Sequence, residues 1–512
     1  MLKNLVIAVF LGIAILSCQN KDKKEEEEST KRELYRPVYH FTPIQNWIND
    51  PNGMVYLDGE YHLFYQYNPF GNEWGHMSWG HAVSKDLLTW EHLPVALKEF
   101  RNKDDTTQTM IFSGSAVIDS ANTSGFFEKG KKNGMVAIYT SNVHASGKGV
   151  AQHQSIAYSA DKGRTWKQYD KNPVLNIGLK DFRDPNVFWY APDKKWIMSV
   201  VKPLDYTVQF YQSQNLKEWK LMSEFGKKGD MTKIWECPAL FPIPVEGSDQ
   251  KKWILTVSSG HRQKNYLAMQ YFVGDFDGKT FTPQKQDEIL YVDEGKDFYA
   301  GIPFNSLPAS HTKPVMIGWI NDWEYANKLP SAKFKGSMSV PRELSLQSTP
   351  AGYRLIQTPV SLKSKQEAGL DEKDLKVSGN HSLDFSGESY EVEAEISLGS
   401  AKKIGINLLK SGSEESSLTY DVSSSTLSFD RKKSGNVDFH ERFPSIESVT
   451  VKPQNGVLKL HLLVDQSVVE IFANDGEKVM TDMVFPTKHE GKIELVSDGE
   501  VIFKSLAIHG IK

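Results

Sequence analysis

One short pattern recurs along this 512-residue chain and restricts its architecture more than any other feature. SKDLLTW (Ser84 to Trp90), SADKGRTW (Ser159 to Trp166) and SQNLKEW (Ser213 to Trp219) each join a polar turn to a tryptophan. GDFDGKTF, ending at Phe281, is a weaker copy. Around these copies lie short runs rich in Val, Ile, Tyr, Phe and Trp: YHLFYQY, MVAIYTS, NVFWY, KWIMSVV, KWILTVSS and PVMIGWI. Bounded by Gly, Asn, Asp and Pro, they read as strands, and no long helical period competes with them. Each interval exceeds the ~40–50 residues that a unit of four short strands requires. The spacing therefore predicts propeller blades, each closing on a polar turn and an aromatic outer strand. A sandwich with chance internal similarity is the alternative.

Past Leu346 the texture changes. Residues 349–370 are polar, with Pro and Gly, and read as a linker. From 371 to 512 the strands alternate cleanly, as in GVLKLHLLVD, where Leu458, Leu460, Leu462 and Val464 share one face. Period-two burial of this kind predicts two sheets packed face to face. The expected chain is all-β, with a propeller over 35–348 followed by a C-terminal β-sandwich. Composition removes other classes. Sixty basic and 64 acidic residues leave a net charge of −4, which gives no field for nucleic acid. Two cysteines cannot build a disulfide scaffold.

Three short acidic motifs carry the chemistry. They are WINDPNG (Trp47 to Gly53), FRDP (Phe182 to Pro185) and WECP (Trp235 to Pro238), each in a different expected blade. Each sets a carboxylate beside, or one residue from, a proline at the entrance to a strand. Proline fixes its own φ and biases its predecessor toward extended geometry, so the backbone holds the acid in place. Equivalent inner-strand positions of a propeller converge on its axis, so Asp50, Asp184 and Glu236 are expected to meet. Taken singly, each has a plainer reading. Asp50 fits a turn former, Arg183-Asp184 an ion pair, and Glu236 a satisfied core acid. The chain holds no HExxH and no GxxxxGK[ST] motif, and His76 and His81 lack an acidic ligand set. No metal and no cofactor are expected.

With WINDPNG, YHLFYQYNP, EWGHMSWGHAVSKDLLTW, FSGS, FRDP, WECP, EGKDFYA, IGWINDW and SVPREL in this order, the sequence resembles glycoside hydrolase family 32, the β-fructosidases. LLVDQSVVEIFANDGE is similar to that family's C-terminal module. The resemblance implies five blades and hydrolysis of β-fructofuranosidic bonds with retained configuration. The implied substrates are fructans (levan, inulin), fructo-oligosaccharides and sucrose, attacked from the chain end. It further implies Asp50 as nucleophile, Glu236 as acid/base and Asp184 as transition-state stabiliser, with Arg183 paired beside Asp184. Trp47, Asn49, Gln66, Trp74, Phe112, Ser113, Tyr299 and Trp319 match positions lining the fructose pocket. Cys237 reads as packing or adjustment of Glu236. Alternatives within the fold are a fructosyltransferase and an endo-acting fructanase; outside enzymes, a surface glycan-binding lipoprotein. No motif speaks to oligomeric state.

The N-terminus reads as an address. Residues 1–17 place Lys3 before an apolar run from Leu5 to Leu16, shorter than the ~20 residues that span a bilayer, which predicts a signal peptide. Ile15-Leu16-Ser17-Cys18 resembles a lipobox, making Cys18 the lipid-bearing residue. An ordinary secretory signal is the alternative. Residues 18–34 are a charge run too polar to pack, hence a tether. Glu25 to Glu28 resemble the export signal of Bacteroidetes-type lipoproteins. The expectation is a cell-envelope protein, lipid-anchored to the outer membrane and facing outward.

Overall fold

A computed structural model describes residues 33–103, 106–130, 133–264 and 266–512. Contacts divide the chain into Met1–Arg36 and Pro37–Lys512, and the second unit is described below. The signal peptide, Cys18 and most of the tether lie outside the described residues.

Five antiparallel sheets follow one another along the chain, and each begins at the strand nearest the axis. The first contains Asn46–Leu57, Glu60–Asn68, Ser78–Ser84 and Trp90–Leu97. The second contains Gln108–Ile118, Met135–Ala145, Lys148–Ser159 and Lys167–Gln168, the third Arg183–Tyr190, Lys195–Lys202, Thr207–Ser213 and Lys220–Gly226. The fourth is built on Glu236–Pro244, Lys251–Gly260, Leu267–Phe276 and Phe281–Pro283. The fifth is built on Tyr299–Pro303, Val315–Ile320, Arg342–Thr349 and Gly352–Pro359. Every copy of the recurring pattern is the turn from the third to the outermost strand of its blade. In the first, Ser84 Oγ accepts from the amides of Asp86 and Leu87, while Asp86 Oδ1 accepts from those of Leu88 and Thr89. This is the side-chain-to-backbone closure that makes Ser and Asp turn formers.

Apolar cores fill the spaces between neighbouring blades. One joins the first and second through Phe64, Trp79 and Tyr139, and another the second and third through Phe182 and Trp196. Phe210, Trp235 and Phe272 pack the third against the fourth, and the largest cluster joins the fourth, fifth and first. Among the described residues only three-residue 3₁₀ turns interrupt the all-β pattern.

The C-terminal sheet contains two very long strands, Gln366–Ser386 and Lys492–Ile511, paired with each other. Residues 492–497 of the second pair with Lys403–Ser411, whereas 502–510 pair with Ser389–Ser397. One strand thus bends through both layers of a sandwich. Leu458, Leu460, Leu462 and Val464 all face its core, as the alternation predicts. The boundary differs from the expected linker over 349–370. Residues 352–359 are the outer strand of the fifth blade, and from Gln366 onward the chain already pairs within the sandwich. GYRLIQTP is half-exposed on an outer edge, so it carries the polar composition of a connector.

Buried ion pairs lock the two domains together. Arg342 reaches Asp293 at 2.9 Å and, across the junction, Glu470 at 2.6 Å. Arg431 of the sandwich pairs with Asp297 of the propeller. His40 lies between Asp465 (2.9 Å) and Glu470 (3.0 Å). Two motifs of the resemblance, EGKDFYA and SVPREL, thus serve this junction through Asp297 and Arg342.

Candidate active site

All five axial strands share one irregularity: two residues face one on the neighbouring strand. These are Asn49-Asp50 opposite Gln66, Phe112-Ser113 opposite Thr140, and Asp184-Pro185 opposite Val200. Cys237-Pro238 opposite Val257 and Ala300-Gly301 opposite Gly318 complete the set. A β-bulge bends its strand and re-aims the local side chains. Here it turns each strand entrance toward the axis. Asp184, Cys237 and Ala300 hold φ of 63°, 48° and 54°, a left-handed conformation that costs a non-glycine residue ~1–3 kcal/mol unless its surroundings impose it. At Gly114, after the second bulge, a Cβ would stand 2.1 Å from the Ile138 carbonyl oxygen, so only glycine fits.

The side chains so aimed form one connected set. Asp50 Oδ2 accepts a hydrogen bond from Ser113 Oγ at 2.5 Å and lies 3.5 Å from the Cys237 thiol. Its Oδ1 accepts from Asn49 Nδ2 at 3.1 Å, and Asn49 is held in turn by Trp47 Nε1 at 2.8 Å. Asp184 Oδ2 accepts from the Cys237 backbone N–H at 2.9 Å, and its own N–H donates to Thr140 Oγ1 at 3.0 Å. Glu236 Oε1 accepts from Arg183 Nε (3.1 Å) and Nη2 (3.0 Å), and its Oε2 from the Tyr299 hydroxyl at 2.8 Å. Arg183, expected beside Asp184, gives its close bonds to Glu236 and meets Asp184 only at 4.0 Å. Glu236 stands one residue earlier than Asp50 and Asp184 relative to the proline. That offset puts it in the next tier, where an arginine can reach it.

Electrostatics follow burial and proximity. Burial raises the Asp50 carboxyl above its usual range, against the Ser113 bond, and the charge of Glu236 adds to the rise. Asp184 is pushed up to about 7 by burial; Arg183 opposes this, and the charges of Glu236 and Asp50 add to it. Burial works against the Arg183 guanidinium, but Glu236 and Asp184 more than offset it and keep it charged. Tyr299 and Cys237 are pushed far up by burial and by the neighbouring acids, so both remain protonated donors. Glu236 is the most open of the three acids, its side chain 21% exposed.

The expected sugar-facing aromatics divide. Trp47 and Trp319 have no accessible surface, because they pack on each other (5.9 Å between rings) and on Trp323. They form the wall behind the site, and Trp47 acts through Asn49. Trp74 and Phe112, edge-on at 6.1 Å, are the faces at the rim. Gln66 is buried and donates to the Ile111 carbonyl at 3.1 Å. Cys237 touches Asp50 and Asp184, a contact made by its bulge position that the WECP motif does not reveal. Thr140 carried no sequence signal, and Trp323 only its place at the end of IGWINDW. His81 pairs with buried His62 and His76 with Glu99. A separate cleft of about 1110 Å³ runs between the fourth and fifth blades and the sandwich, and none of the three acids lines it.

Comparison with known proteins follows the same architecture. Residues 40–359 match the model of the glycosyl hydrolases family 32 N-terminal domain, and residues 357–510 that of the family 32 C terminal. A levanase of Bacillus subtilis is 44% identical over 524 residues, covering 100% of this chain and 75% of the relative. An extracellular exo-inulinase of Aspergillus ficuum is 39% identical over 498 residues, covering 91% and 92%. The crystal structure of an exo-inulinase from Aspergillus awamori superposes with a TM-score of 0.87 at 37% identity, covering 94% of this chain and 99% of that one.

Proposed function

The chain belongs to glycosyl hydrolase family 32 and is a glycoside hydrolase acting on fructans; we propose that it releases fructose from the chain end with retained configuration. In this reading Asp50 attacks the anomeric C2 while Glu236 gives its proton to the departing oxygen. A covalent fructosyl-enzyme forms. Glu236, now ionised, takes a proton from water, which attacks C2 and returns Asp50 to its carboxylate. A retaining pair works at a separation of ~5–5.5 Å, where one negative charge disfavours a second. Asp184 grips hydroxyls beside the reacting carbon, with bonds that tighten as the ring flattens, so it favours the transition state over bound substrate.

The observation that carries this reading is Cys237. Its thiol lies on Asp50, its amide on Asp184, and the residue before it is Glu236, so one residue links three acids from three blades. Purified protein should liberate fructose, without early oligosaccharides, from levan or inulin. Asp50→Asn and Glu236→Gln should each lose at least ~10²–10⁴-fold in turnover. Wild-type rate in either variant overturns the assignment.

For the N-terminus, the proposal is lipidation at Cys18 and an outward-facing place on the outer membrane, supported by the lipobox-like Ile15 to Cys18 and by Glu25 to Glu28. Labelled fatty acid should enter the protein in cells and be lost in Cys18→Ala, and protease added to whole cells should remove the enzyme. Retained label in the variant refutes the anchor.

A further inference from the structure

Side chains of the second blade reach across to the third and hold the turn that carries Asp184. Thr140 and Gln154 are directly opposed on Met135–Ala145 and Lys148–Ser159, and the next pair on the same face is Asn142 and Gln152. Thr140 and Gln154 have no accessible surface. The Gln154 backbone is fixed to the segment before FRDP, donating to the Leu175 carbonyl at 2.8 Å and accepting from the Val174 amide at 2.9 Å. Its side chain uses both polar ends. Nε2 donates to the Phe182 carbonyl at 2.8 Å, and Oε1 accepts from the Thr140 hydroxyl at 2.8 Å. With its proton committed to Gln154, Thr140 Oγ1 is left as the acceptor for the Asp184 N–H at 3.0 Å. Gln152 completes the clamp. Its Oε1 accepts from the Phe182 amide at 2.9 Å, and its Nε2 donates to Asn142 Oδ1 at 3.1 Å.

This arrangement meets a need that the third blade's own pairing leaves open. Its axial strand begins at Arg183 and skips Asp184-Pro185 in pairing with the second strand, so these two lie outside the ladder of their own sheet. Asp184 holds a φ of 63°, which an aspartate keeps only where its surroundings impose it. A buried amide in that position needs an acceptor, and Thr140 supplies it. The reversed amide orientation at Gln154 would set Oε1 against the Phe182 carbonyl, acceptor to acceptor, so the chain of bonds runs in one direction. Its last member is the residue whose carboxylate accepts from the Cys237 amide. Main-chain and carboxylate placement at Asp184 are therefore coupled.

Resting on the role given to Asp184 above, we propose that Gln154 and Thr140 are positioning residues for the reaction. Gln154 orients the Thr140 hydroxyl, and that hydroxyl holds Asp184 in the conformation that aims its carboxylate. Neither is asked to touch substrate or the reacting carbon. Asp184 acts in the transition state, so an error in its aim is felt in kcat and not in KM.

The test measures kcat and KM on a short fructoside for the full chain and its Thr140→Val, Gln154→Met and Thr140→Ser variants. The first two are repeated in an Asp184→Asn background. Thr140→Val swaps the hydroxyl for a methyl and Gln154→Met keeps the side chain's length, so both remove hydrogen bonds with little change in volume. Each should lower kcat ~10–100-fold with KM held within about twofold, the loss expected of one missing buried hydrogen bond. Thr140→Ser keeps the hydroxyl and should recover most of that loss. In the Asp184→Asn background the same two substitutions should lower kcat by less than about threefold more, because the group they aim is already disabled. Equal factors in both backgrounds overturn the proposal, as does an unchanged kcat in both single variants or a rise in KM alone. Loss of the fold in both makes the pair purely structural and overturns it too. If the unsubstituted protein frees no fructose, or Asp184→Asn leaves kcat unchanged, the reading beneath the proposal is what fails, and the two failures are distinguished.

Discussion

The hydrogen bond from Ser113 to Asp50 sets the pH at which the nucleophile becomes usable. The hydroxyl donates to Oδ2 at 2.5 Å inside a buried site, and it works against the burial that pushes the carboxyl up. A hydrogen bond to a charged group is worth ~1.5–3 kcal/mol, and ~1.36 kcal/mol corresponds to one pH unit. Ser113→Ala should therefore raise the pKa governing Asp50 by about 1–2 units. Attack requires the ionised carboxylate, so activity is lost as pH falls through that value. A raised pKa moves the loss to higher pH. The acid limb of kcat/KM against pH for a short fructoside should shift upward by that amount. Below the limb the variant should be slower by ~10–100-fold, and on the plateau by much less. Asp184 shares the hollow, so the limb is a property of the coupled acids rather than of one residue. An acid limb that stays in place, with one constant deficit at every pH, refutes the reasoning and makes Ser113 a substrate contact only.

Three further outcomes follow from the same geometry. Cys237→Ala removes a weak donor at 3.5 Å from Asp50 and leaves the amide bond to Asp184, so the acid limb should move up by a smaller step than in Ser113→Ala. Arg342→Met leaves the buried Asp293 carboxylate without its cation and Glu470 with His40 alone, and denaturant unfolding should show a loss of ~3–5 kcal/mol. His40 is held charged between Asp465 and Glu470, its pKa raised from an ordinary 6.5 to about 9 despite burial. Its stabilisation is complete below pH 6.5 and lost as pH rises through 9. At ~1.36 kcal/mol per unit over that span it amounts to ~3 kcal/mol at most. Unfolding measured from pH 6 to 9.5 should show this decline, and His40→Gln should flatten it.

The recurring turns were legible because a blade's third-to-fourth connection needs Ser, Asp or Asn to cap it and an aromatic to start the outer strand. Asp50 and Asp184 were legible because each directly precedes a proline, and Glu236 because it stands one residue further from one. The five bulges fall at Asn49-Asp50, Phe112-Ser113, Asp184-Pro185, Cys237-Pro238 and Ala300-Gly301, whose residue types share no single motif, and that hides their equivalence. Two things were not legible. Tryptophan suits a core and a sugar face equally, so Trp47 and Trp319 could not be told from Trp74 until packing was known. The junction joins Arg342 to Glu470, far apart in sequence and bound by no period. Nothing in either local motif points to the other.

The most direct test of the account is to trap the intermediate. In Glu236→Gln, a fructoside whose leaving group needs no proton should still react, while the missing base slows hydrolysis of the product. Mass spectrometry should then find one fructosyl residue, attached to Asp50. A label on another residue, or turnover of this substrate with no covalent species and inverted product, contradicts the account.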